Sequence, residues 1–331
     1  MVRLQRIGII GAGMAGMTLA KALSRTADVS IFEKSKGVGG RMATRRLEDA
    51  AFDHGAQYFT VRDDRFRHEL EASRQAGIVQ AWDGDIVRLG DGGALTASAS
   101  SAPRYVGCPS MNALPKSMSA GLNILHYVQV TAITGEPGQW YLDMKDRREG
   151  PFDWVIAAAP APQSAALLPS RFAHHEALCL VKMNACFTLM LRLKDGAGIP
   201  FAAARIDDPV IEWIARNESK PGRSEAACLV VNSNPLWADL NIDKPLDIIR
   251  GQMLDALRNH IPIEMAEAED AIIHRWRYAN VQQPAGKSFL LDQASQLAAC
   301  GDWCIAGRVE AAFLSGAGLG DALQGILEVA E

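Results

Sequence analysis

The chain has 331 residues, of which 48% are hydrophobic and 22% charged, and it carries a net charge of −4 at pH 7. This is the composition of an ordinary globular protein, and the length is sufficient for two domains with a substantial core. The weakly acidic balance argues against a nucleic-acid or anionic-membrane partner, and no apolar run approaches the ~20 residues that a membrane span needs.

The chain begins with a candidate dinucleotide-binding motif. Ile7–Ile10 is a short apolar run that predicts a buried parallel strand, and Met17–Arg25 predicts a helix. Between them, Gly11, Gly13 and Gly16 fit the pattern G-x-G-x-x-G in the required context of strand and helix. The first glycine allows the tight turn, the second lets a pyrophosphate approach the backbone, and the third lets the helix pack closely on the strand. The N-terminus of the helix offers free N–H groups to the phosphates.

A second strand is predicted over Val29–Phe32, and it ends at Glu33, seventeen residues after Gly16. A carboxylate at this place can accept hydrogen bonds from the hydroxyls of an adenosine ribose. The stretch 34–42 then contains a second glycine turn followed by Arg41. This turn would give the pyrophosphate another backbone approach and a fixed cation, which a nicotinamide dehydrogenase does not need. The predicted cofactor is therefore FAD.

The middle of the chain contains both strand and helix patterns. In the first half we predict a helix from an N-cap at Asp63 to Ala76, a hairpin over 81–95 with a turn at 91–93, a loop over 96–102, a helix over 110–120, and strands over 124–133, 139–144 and 154–158. In the second half we predict strands over 186–193, 210–215, 228–232 and 271–276, and a helix over 245–260. The pattern from about 161 to 290 is that of an antiparallel sheet with helices, which is suited to covering a flavin.

The last forty residues read as a return to the cofactor. Gly301-Asp302 places a carboxylate just after a turn, where it could accept hydrogen bonds from ribityl hydroxyls. A helix is predicted beyond Val309. Its N-terminus would point at the flavin pyrimidine, where its dipole favours the negative charge that develops on reduction.

Neither the cysteines nor the histidines predict a metal site. The six cysteines are scattered and form no C-x-x-C pair. The adjacent His174 and His175 diverge in direction and have no evident third ligand. We therefore expect no metal and no disulfide, and the free cysteines predict a cytoplasmic location.

Three blocks of the sequence carry a resemblance to a known family. These blocks are 11–16 with Glu33 and 39–42, then 55–58, and finally 301–302 with 309–310 and 315–316. Together with 275–279 they resemble the renalase family, in particular its bacterial branch, within the flavin-containing amine oxidase superfamily. The match runs nearly end to end and is thinnest in 161–265.

The resemblance implies an α/β fold with two domains. A Rossmann-like FAD-binding domain of the hydroxybenzoate-hydroxylase type would be joined by an antiparallel-sheet α+β substrate domain that lies over the flavin ring. The FAD-binding domain would be discontinuous, formed by 1–60, 105–160 and 292–331. The substrate domain would consist of 61–104 and 161–291.

The resemblance also implies an activity. Renalases oxidise isomeric dihydronicotinamide dinucleotides, the 2- and 6-dihydro forms of NAD(P), to oxidised NAD(P), and O2 takes the electrons to give hydrogen peroxide. The partners would thus be a small-molecule dinucleotide and O2, in a metabolite-repair reaction. The FAD-binding residues predicted from the motifs and the resemblance together are Gly11, Gly13, Ala15, Gly16, Glu33, Lys34, Gly40, Arg41, Ala56, Gln57, Tyr58, Val130, Asp302 and Val309.

Hydride transfer from a dihydropyridine needs no general base, because the ring becomes aromatic as the hydride leaves. We therefore nominate no catalytic residue and look for positioning groups. Trp276, Arg277 and Tyr278 are the candidates on the substrate side. On a strand, Trp276 and Tyr278 would share one face and Arg277 the other. Whether the two aromatic residues hold a nicotinamide ring or fill a core stays open, as does the choice between phosphate contacts and solvent for Arg275 and Arg277.

Two other functions remain as alternatives. A flavin amine oxidase usually has an aromatic cage beside the flavin and a lysine linked to it through water. Lys287 is the one late lysine available, and nothing in its sequence setting supports that role. The third possibility is a non-catalytic flavin-binding protein.

Overall fold

The computed structural model describes residues 3–47, 50–90, 94–97, 102–193, 198–261 and 270–329. The turn predicted at 91–93 and residues 98–101 of the predicted loop lie outside these ranges. The helices are α1 (Met14–Leu23), α2 (Asp64–Gln75), α3 (Ala113–Met118), α4 (Ala161–Leu167), α5 (His175–Cys179), α6 (Pro235–Asn241), α7 (Leu246–Arg258) and α8 (Val309–Val329). The first ten strands are β1 (Arg6–Ile10), β2 (Asp28–Glu33), β3 (Arg45–Arg46), β4 (Ala51–Phe52), β5 (Val79–Ala81), β6 (Ile86–Leu89), β7 (Leu95–Ala97), β8 (Tyr105–Gly107), β9 (Ile124–His126) and β10 (Ala132–Glu136). The others are β11 (Gln139–Asp143), β12 (Arg148–Phe152), β13 (Trp154–Ala157), β14 (Lys182–Arg192), β15 (Ala203–Ile206), β16 (Ile211–Arg216), β17 (Cys228–Ser233), β18 (Ile272–Gln283), β19 (Leu290–Asp292) and β20 (Leu297–Ala299).

One layer of the protein is a six-stranded sheet in the order β19-β20-β13-β1-β2-β9. All neighbours in it are parallel except β19 and β20. Helices α1 and α8 pack on one face, and the small sheet β10-β11-β12 covers the other. Burial on both faces explains why β1 and β13 read as continuous apolar runs. The strands come from 1–60, 105–160 and 292–331, except that β19 straddles residue 291.

A second layer is a seven-stranded sheet in the order β18-β14-β17-β16-β15-β6-β7. Its neighbours are antiparallel, with the exception of β15 and β6. Helix α7 packs on one face through Ile249, Met253 and Leu257. The opposite face looks toward residues 54–58, which lie after the arginine-bearing turn.

The mixed α/β fold is the one predicted, and several elements agree with the predicted ones. The Asp63 side chain caps α2 by accepting from the N–H groups of Arg65 and Phe66. The strand predicted over 124–133 is wrong as one piece: it is divided into β9 and β10, with Tyr127 in a left-handed conformation at φ 59° between them. The helix predicted over 110–120 is shorter, since α3 covers Ala113–Met118, and the predicted loop 96–102 begins as part of β7.

Candidate functional site

The first glycine turn forms a cradle at the carboxyl end of β1. Gly11 has a φ of 108°, which favours glycine. A Cβ on Gly16 would lie 2.2 Å from the carbonyl oxygen of Gly11, so this glycine is required for α1 to pack on the turn. A Cβ on Gly13 would meet no atom within 4 Å, because Gly13 faces open space. The two glycines therefore serve different purposes: one packs against protein and the other faces outward.

Glu33 lies at the rim of this cradle, at the end of β2 beside β1. Its carboxylate accepts a hydrogen bond from Ala12 N at 2.9 Å through Oε2 and another from Ser35 N at 2.8 Å through Oε1. The side chain is fixed by these two bonds and is almost fully buried. Each oxygen retains a lone pair, so the carboxylate can accept from a pair of vicinal hydroxyls such as those of a ribose.

The second glycine turn faces the first. Gly39 N donates to Ala12 O at 2.8 Å, and Gly40 has a φ of 52°. A Cβ on Gly40 would lie 3.8 Å from the Cα of Gly13. Two side-chain-free backbone segments thus border the open space at Gly13, and an acid stands at its rim. This arrangement fits the pyrophosphate and ribose of an adenine dinucleotide.

The two ends of the chain meet at Arg41 and Asp302. The guanidinium donates to both carboxylate oxygens, at 2.9 Å and 2.5 Å, and also to Ala279 O at 3.0 Å. Asp302 is nearly buried, and Gly301 N donates to Ser315 Oγ of α8 at 3.0 Å. A two-pronged pair of this kind fixes geometry as well as charge. The arginine predicted to meet a pyrophosphate therefore lies beside the carboxylate predicted to meet the ribityl chain.

Gln57 turns away from the cradle and into a buried charge cluster. Its Nε2 donates to Asp53 O and Gly55 O, and its Oε1 accepts from Lys220 Nζ at 3.2 Å. Asp53 is fully buried between Lys220 at 3.5 Å and Arg223 at 2.5 Å. The predicted contact of Gln57 with FAD would therefore have to be made by its backbone.

The charges in this cluster hold one another in place. Burial by itself would raise the pKa of Asp53, but Lys220 and Arg223 outweigh it and lower that pKa to about 2. Burial lowers the pKa of Lys220 to about 8, against the attraction of Asp53. Asp53 also accepts from Thr44 Oγ1 and Met111 N. The cluster ties the segment that precedes Gly55 to the segment that follows β16.

Trp276 contacts this same segment from β18. Its Nε1 donates to His54 O at 2.8 Å, and its ring stacks on that of His54 with centroids 5.2 Å apart. His274 packs edge-on against both rings. Burial lowers the pKa of His54, and burial together with His54 and Arg45 lowers the pKa of His274 to about 4. Both imidazoles are therefore neutral near pH 7.

The other predicted substrate-side residues lie apart from this stack. Arg277 is exposed and pairs with Asp243 at 2.7 Å, while Tyr278 is half-buried. Arg275 donates to Lys244 O, so neither arginine lies on the face that carries Trp276. Lys287 is exposed.

The remaining predicted FAD-binding residues are spread along the cradle and its supports. Ala15 is buried in α1, where its carbonyl oxygen would be 2.3 Å from a Cβ on Gly316, so α1 and α8 touch closely. Ala56 N donates to Arg41 O at 2.8 Å. Val130 is buried between β9 and β10, Lys34 is exposed, and Val309 begins α8.

A row of directly opposed residues crosses the seven-stranded sheet, and the sequence did not reveal it. From β18 to β6 the row consists of His274, Thr188, Asn232, Trp213, Arg205 and Arg88. Opposed residues of neighbouring strands share a face. This face looks toward residues 54–58, because Thr188 Oγ1 donates to His54 O at 3.0 Å and the Trp213 ring lies 5.9 Å from that of Tyr58. The row runs from buried Thr188 to exposed Arg205 and Arg88.

Several buried polar atoms near this row have no hydrogen-bond partner. Among the described residues they include His54 Nδ1, Trp82 Nε1, Trp213 Nε1 and Asn232 Oδ1. The Trp82 and Trp213 rings both contact Tyr58, and Asn232 is the cross-strand partner of Trp213. Buried polar atoms are normally paired, so these atoms need partners that the described residues do not supply.

The described residues contain no cluster of three or more acidic, histidine or cysteine side chains that could hold a metal ion. Within the same part of the chain, no helix combines the length and apolarity that crossing a bilayer requires.

The parallel sheet and its glycine cradle define a Rossmann-like dinucleotide-binding protein, and two family models sharpen this. The model of the NAD(P)-binding Rossmann-like domain matches residues 9–71. The model described as flavin containing amine oxidoreductase matches residues 81–318, which is more than half of the chain. The chain therefore belongs to the flavin-containing amine oxidoreductase family. Its cofactor is FAD, and it is a flavin-dependent oxidoreductase.

Solved structures share this fold over nearly the whole chain. A protein assigned as a protoporphyrinogen oxidase, from Exiguobacterium sp. 255-15, has a TM-score of 0.78 at 12% identity, covering 97% of this chain and 98% of its own. Cyclohexylamine oxidase from Brevibacterium oxydans IH-35A has a TM-score of 0.74 at 14% identity, with 98% and 100% covered. Putrescine oxidase bound to putrescine has a TM-score of 0.70 at 12% identity, with 97% and 99% covered. At these identities the likeness concerns the fold alone.

Proposed function

We propose that this protein is a renalase-like oxidase of isomeric dihydronicotinamide dinucleotides. The substrate would be a 2- or 6-dihydro form of NAD(P), which loses a hydride from a ring carbon and leaves as oxidised NAD(P). O2 would take up the two electrons with two protons and give hydrogen peroxide. The FAD supplies the site that accepts the hydride.

One observation supports the proposal best: the outer end of the row of opposed residues, where Arg205 and Arg88 lie, is positively charged. The Arg104 guanidinium lies 5.6 Å over the Tyr58 ring, and Arg205 contacts Tyr58 Oη at 3.5 Å. Arg88 stands directly opposite Arg205 in the sheet. In the part of the chain that the structure describes, none of these three arginines has a carboxylate within 4 Å, and Glu212 attracts Arg205 from farther away. Such a cluster of arginines attracts the phosphates of a dinucleotide and repels a protonated amine.

The chain's own residues would bind the cofactor and orient the substrate. Gly13 and Gly40 would border the pyrophosphate, and Glu33 would accept from the ribose hydroxyls, as the geometry of the cradle allows. The rings of Tyr58, Trp82 and Trp213 would keep water away from the reacting carbon. We also propose the discontinuous two-domain division stated above, which agrees with the origin of nearly all strands in the six-stranded sheet. The cytoplasmic location stays a prediction.

Amine oxidation is the second candidate. It is favoured by the aromatic group of Tyr58, Trp82 and Trp213, since aromatic faces attract cations, and by the names of two structural neighbours. Against it, Lys287 is exposed and buried Lys220 is engaged by Asp53, Gln57 and Asn217. A non-catalytic flavin-binding protein is the third reading.

Anaerobic mixing of the FAD-loaded protein separates the three readings. Each dihydronicotinamide isomer, and separately a panel of primary and secondary amines, is mixed with the protein while the flavin absorbance is followed. We expect rapid bleaching by at least one dihydronicotinamide isomer and none by amines. Bleaching by amines alone would establish the second candidate, and no bleaching by either class would favour the third.

A further inference from the structure

The inner part of the row of opposed residues, at Asn232 and Trp213, contains buried hydrogen-bonding atoms without partners. The arginines at its outer end do not account for them. Asn232 Oδ1 is a buried acceptor without a donor, and Trp213 Nε1 is a buried donor without an acceptor. Trp213 is 5% exposed. The two residues are cross-strand partners, so their side chains leave the sheet on the same face. A buried donor or acceptor without a partner destabilises the folded protein, and a ligand that pairs with these two atoms would remove that cost.

A β-bulge brings a carboxylate to the same place. The pairing of β16 with β17 shifts between Ile211 and Trp213. Ile211 and Ile214 both pack in the core on the α7 side, while Trp213 faces the other way. A bulge re-aims a side chain in this manner, and here it turns Glu212 toward the face of Trp213. Glu212 is half-buried and interacts electrostatically with Arg205, a member of the row.

We propose that Asn232 and Trp213 recognise a primary carboxamide of the substrate. Asn232 Oδ1 accepts from the amide NH2 group, and Trp213 Nε1 donates to the amide carbonyl oxygen. Glu212 adds negative charge next to the acceptor, which favours the NH2 group and disfavours a carboxylate in its place. This assignment rests on the proposed function, in which the carboxamide is that of the nicotinamide ring.

The arrangement also assigns an orientation to the substrate. The carboxamide lies at the inner part of the row, between Thr188 and Trp213, and the phosphates lie at the outer part, near Arg205 and Arg88. The groups proposed to bind the carboxamide and those proposed to bind the phosphates therefore lie along one face of the same sheet. Bonds to a polar group of the substrate discriminate strongly, because an analogue without that group leaves buried atoms unpaired.

The test compares two ligands that differ only at this group. FAD-loaded protein is titrated by calorimetry with NAD+ and with its deamido analogue, which has a carboxylate where NAD+ has the carboxamide. We expect the wild-type protein to bind NAD+ about 10- to 100-fold more tightly than the deamido form, as loss of one or two such bonds predicts. Equal affinities, or no binding of NAD+, would overturn the assignment.

Variants locate the effect. In Asn232→Leu and Trp213→Phe, the preference for NAD+ should fall to within about threefold of unity. Glu212→Gln should narrow the preference by about three- to tenfold, because it removes the negative charge that favours the NH2 group and repels the carboxylate of the deamido form. Trp237→Phe, on the α7 side of the sheet, is the matched control and should keep the wild-type preference. FAD content and thermal midpoint establish that each variant is folded, and a wild-type preference that survives in both Asn232→Leu and Trp213→Phe contradicts the assignment.

The binding measurement needs no turnover, so it stands apart from the proposed function. If the protein shows the expected preference but no dihydronicotinamide bleaches its flavin, carboxamide recognition is supported and the proposed oxidase activity is contradicted. If the flavin is bleached but both ligands bind equally, the proposed activity is supported and the assignment to Asn232 and Trp213 is contradicted.

Discussion

The two large sheets of this protein present candidate ligand-binding groups of different kinds. At the six-stranded sheet the cradle is made of backbone: Gly11, Gly13, Gly16 and Gly40 bring main chain close, and one acid, Glu33, stands at the rim. At the seven-stranded sheet the candidate site is made of side chains that meet across strands. A backbone cradle suits a cofactor that is the same throughout a family. A surface of side chains can change its ligand without changing the fold.

The charge cluster at Asp53 is where these two regions are tied together. It lies just before Gly55-Ala56-Gln57-Tyr58, and its cations come from the segment after β16. If the cluster were lost, the segment between the two sheets would lose its anchor. The predictions below separate the contributions of this anchor, the cradle and the side-chain face.

The largest effect is expected for Asp53→Asn. The substitution leaves Lys220 and Arg223 buried without their carboxylate, and breaking a buried pair in this way costs about 3–5 kcal/mol of unfolding free energy. Urea denaturation measures it. Asp321→Asn, which breaks the exposed pair with Arg65, is the control and should cost less than ~1 kcal/mol. Equal costs for the two variants would mean that the cluster is not an anchor.

The next effect separates the two glycines of the cradle. Gly13→Ala should leave the stability of the flavin-free protein unchanged, because its Cβ enters open space. The same methyl group should weaken FAD binding by about 1–3 kcal/mol, or roughly 5- to 150-fold, by occupying the place of the pyrophosphate. Gly16→Ala should destabilise the protein with or without FAD, because its Cβ meets Gly11 O.

Titration of the flavin-free variants with FAD, together with their thermal midpoints, distinguishes the two cases. If Gly13→Ala bound FAD as tightly as the wild-type protein, the cradle would not be the pyrophosphate site.

A smaller effect is expected at the cluster of Arg88, Arg104 and Arg205. Arg205→Met should weaken binding of the dinucleotide substrate by about tenfold, as expected for a lost charge-assisted bond of ~1.5 kcal/mol, and reduce the dependence of binding on salt. Stopped-flow measurements at two ionic strengths give both quantities. Arg67→Met, an exposed arginine of α2, serves as the control. If the salt dependence were unchanged in Arg205→Met, the phosphates would have to bind elsewhere.

At neutral pH, where both imidazoles are uncharged, the smallest effect is expected from the stack of His54, His274 and Trp276, and it grows as the pH falls. The pKa of His274 is about 4 in the folded protein and ~6.5 when unfolded, so the unfolded state binds more protons between these values. Stability should therefore decrease as pH falls from 6.5 toward 4, by at most ~1.4 kcal/mol per pH unit for this group. His274→Gln should reduce the slope, and the exposed control His68→Gln should not. An unchanged slope in His274→Gln would assign the pH dependence to other groups.

Most of the fold could be predicted from the sequence, because local patterns specify it. Consecutive residues specify the strand, glycine turn and helix at Ile7–Leu23, and they also specify the cap at Asp63. A short stretch of sequence is therefore sufficient to predict each of them. The strand predicted over 124–133 was wrong because its apolar pattern continues through Tyr127, where the backbone changes direction. The candidate site was predicted less well. Trp276 contacts the 54–58 segment, but Arg277 pairs with a surface aspartate.

The sequence by itself determined the FAD cofactor, the flavin-containing amine oxidase superfamily and the class of fold. The glycine turns and the acid that indicate the cofactor are close along the chain, and their spacing is fixed by the geometry of a turn or a strand. Only the tertiary structure decided that Asn232, Trp213 and Arg205 form one row and that Glu212 joins them. Their strands are separated by loops of unrelated length, and the register of antiparallel pairs, together with one bulge, sets which side chains share a face. No local pattern carries that information.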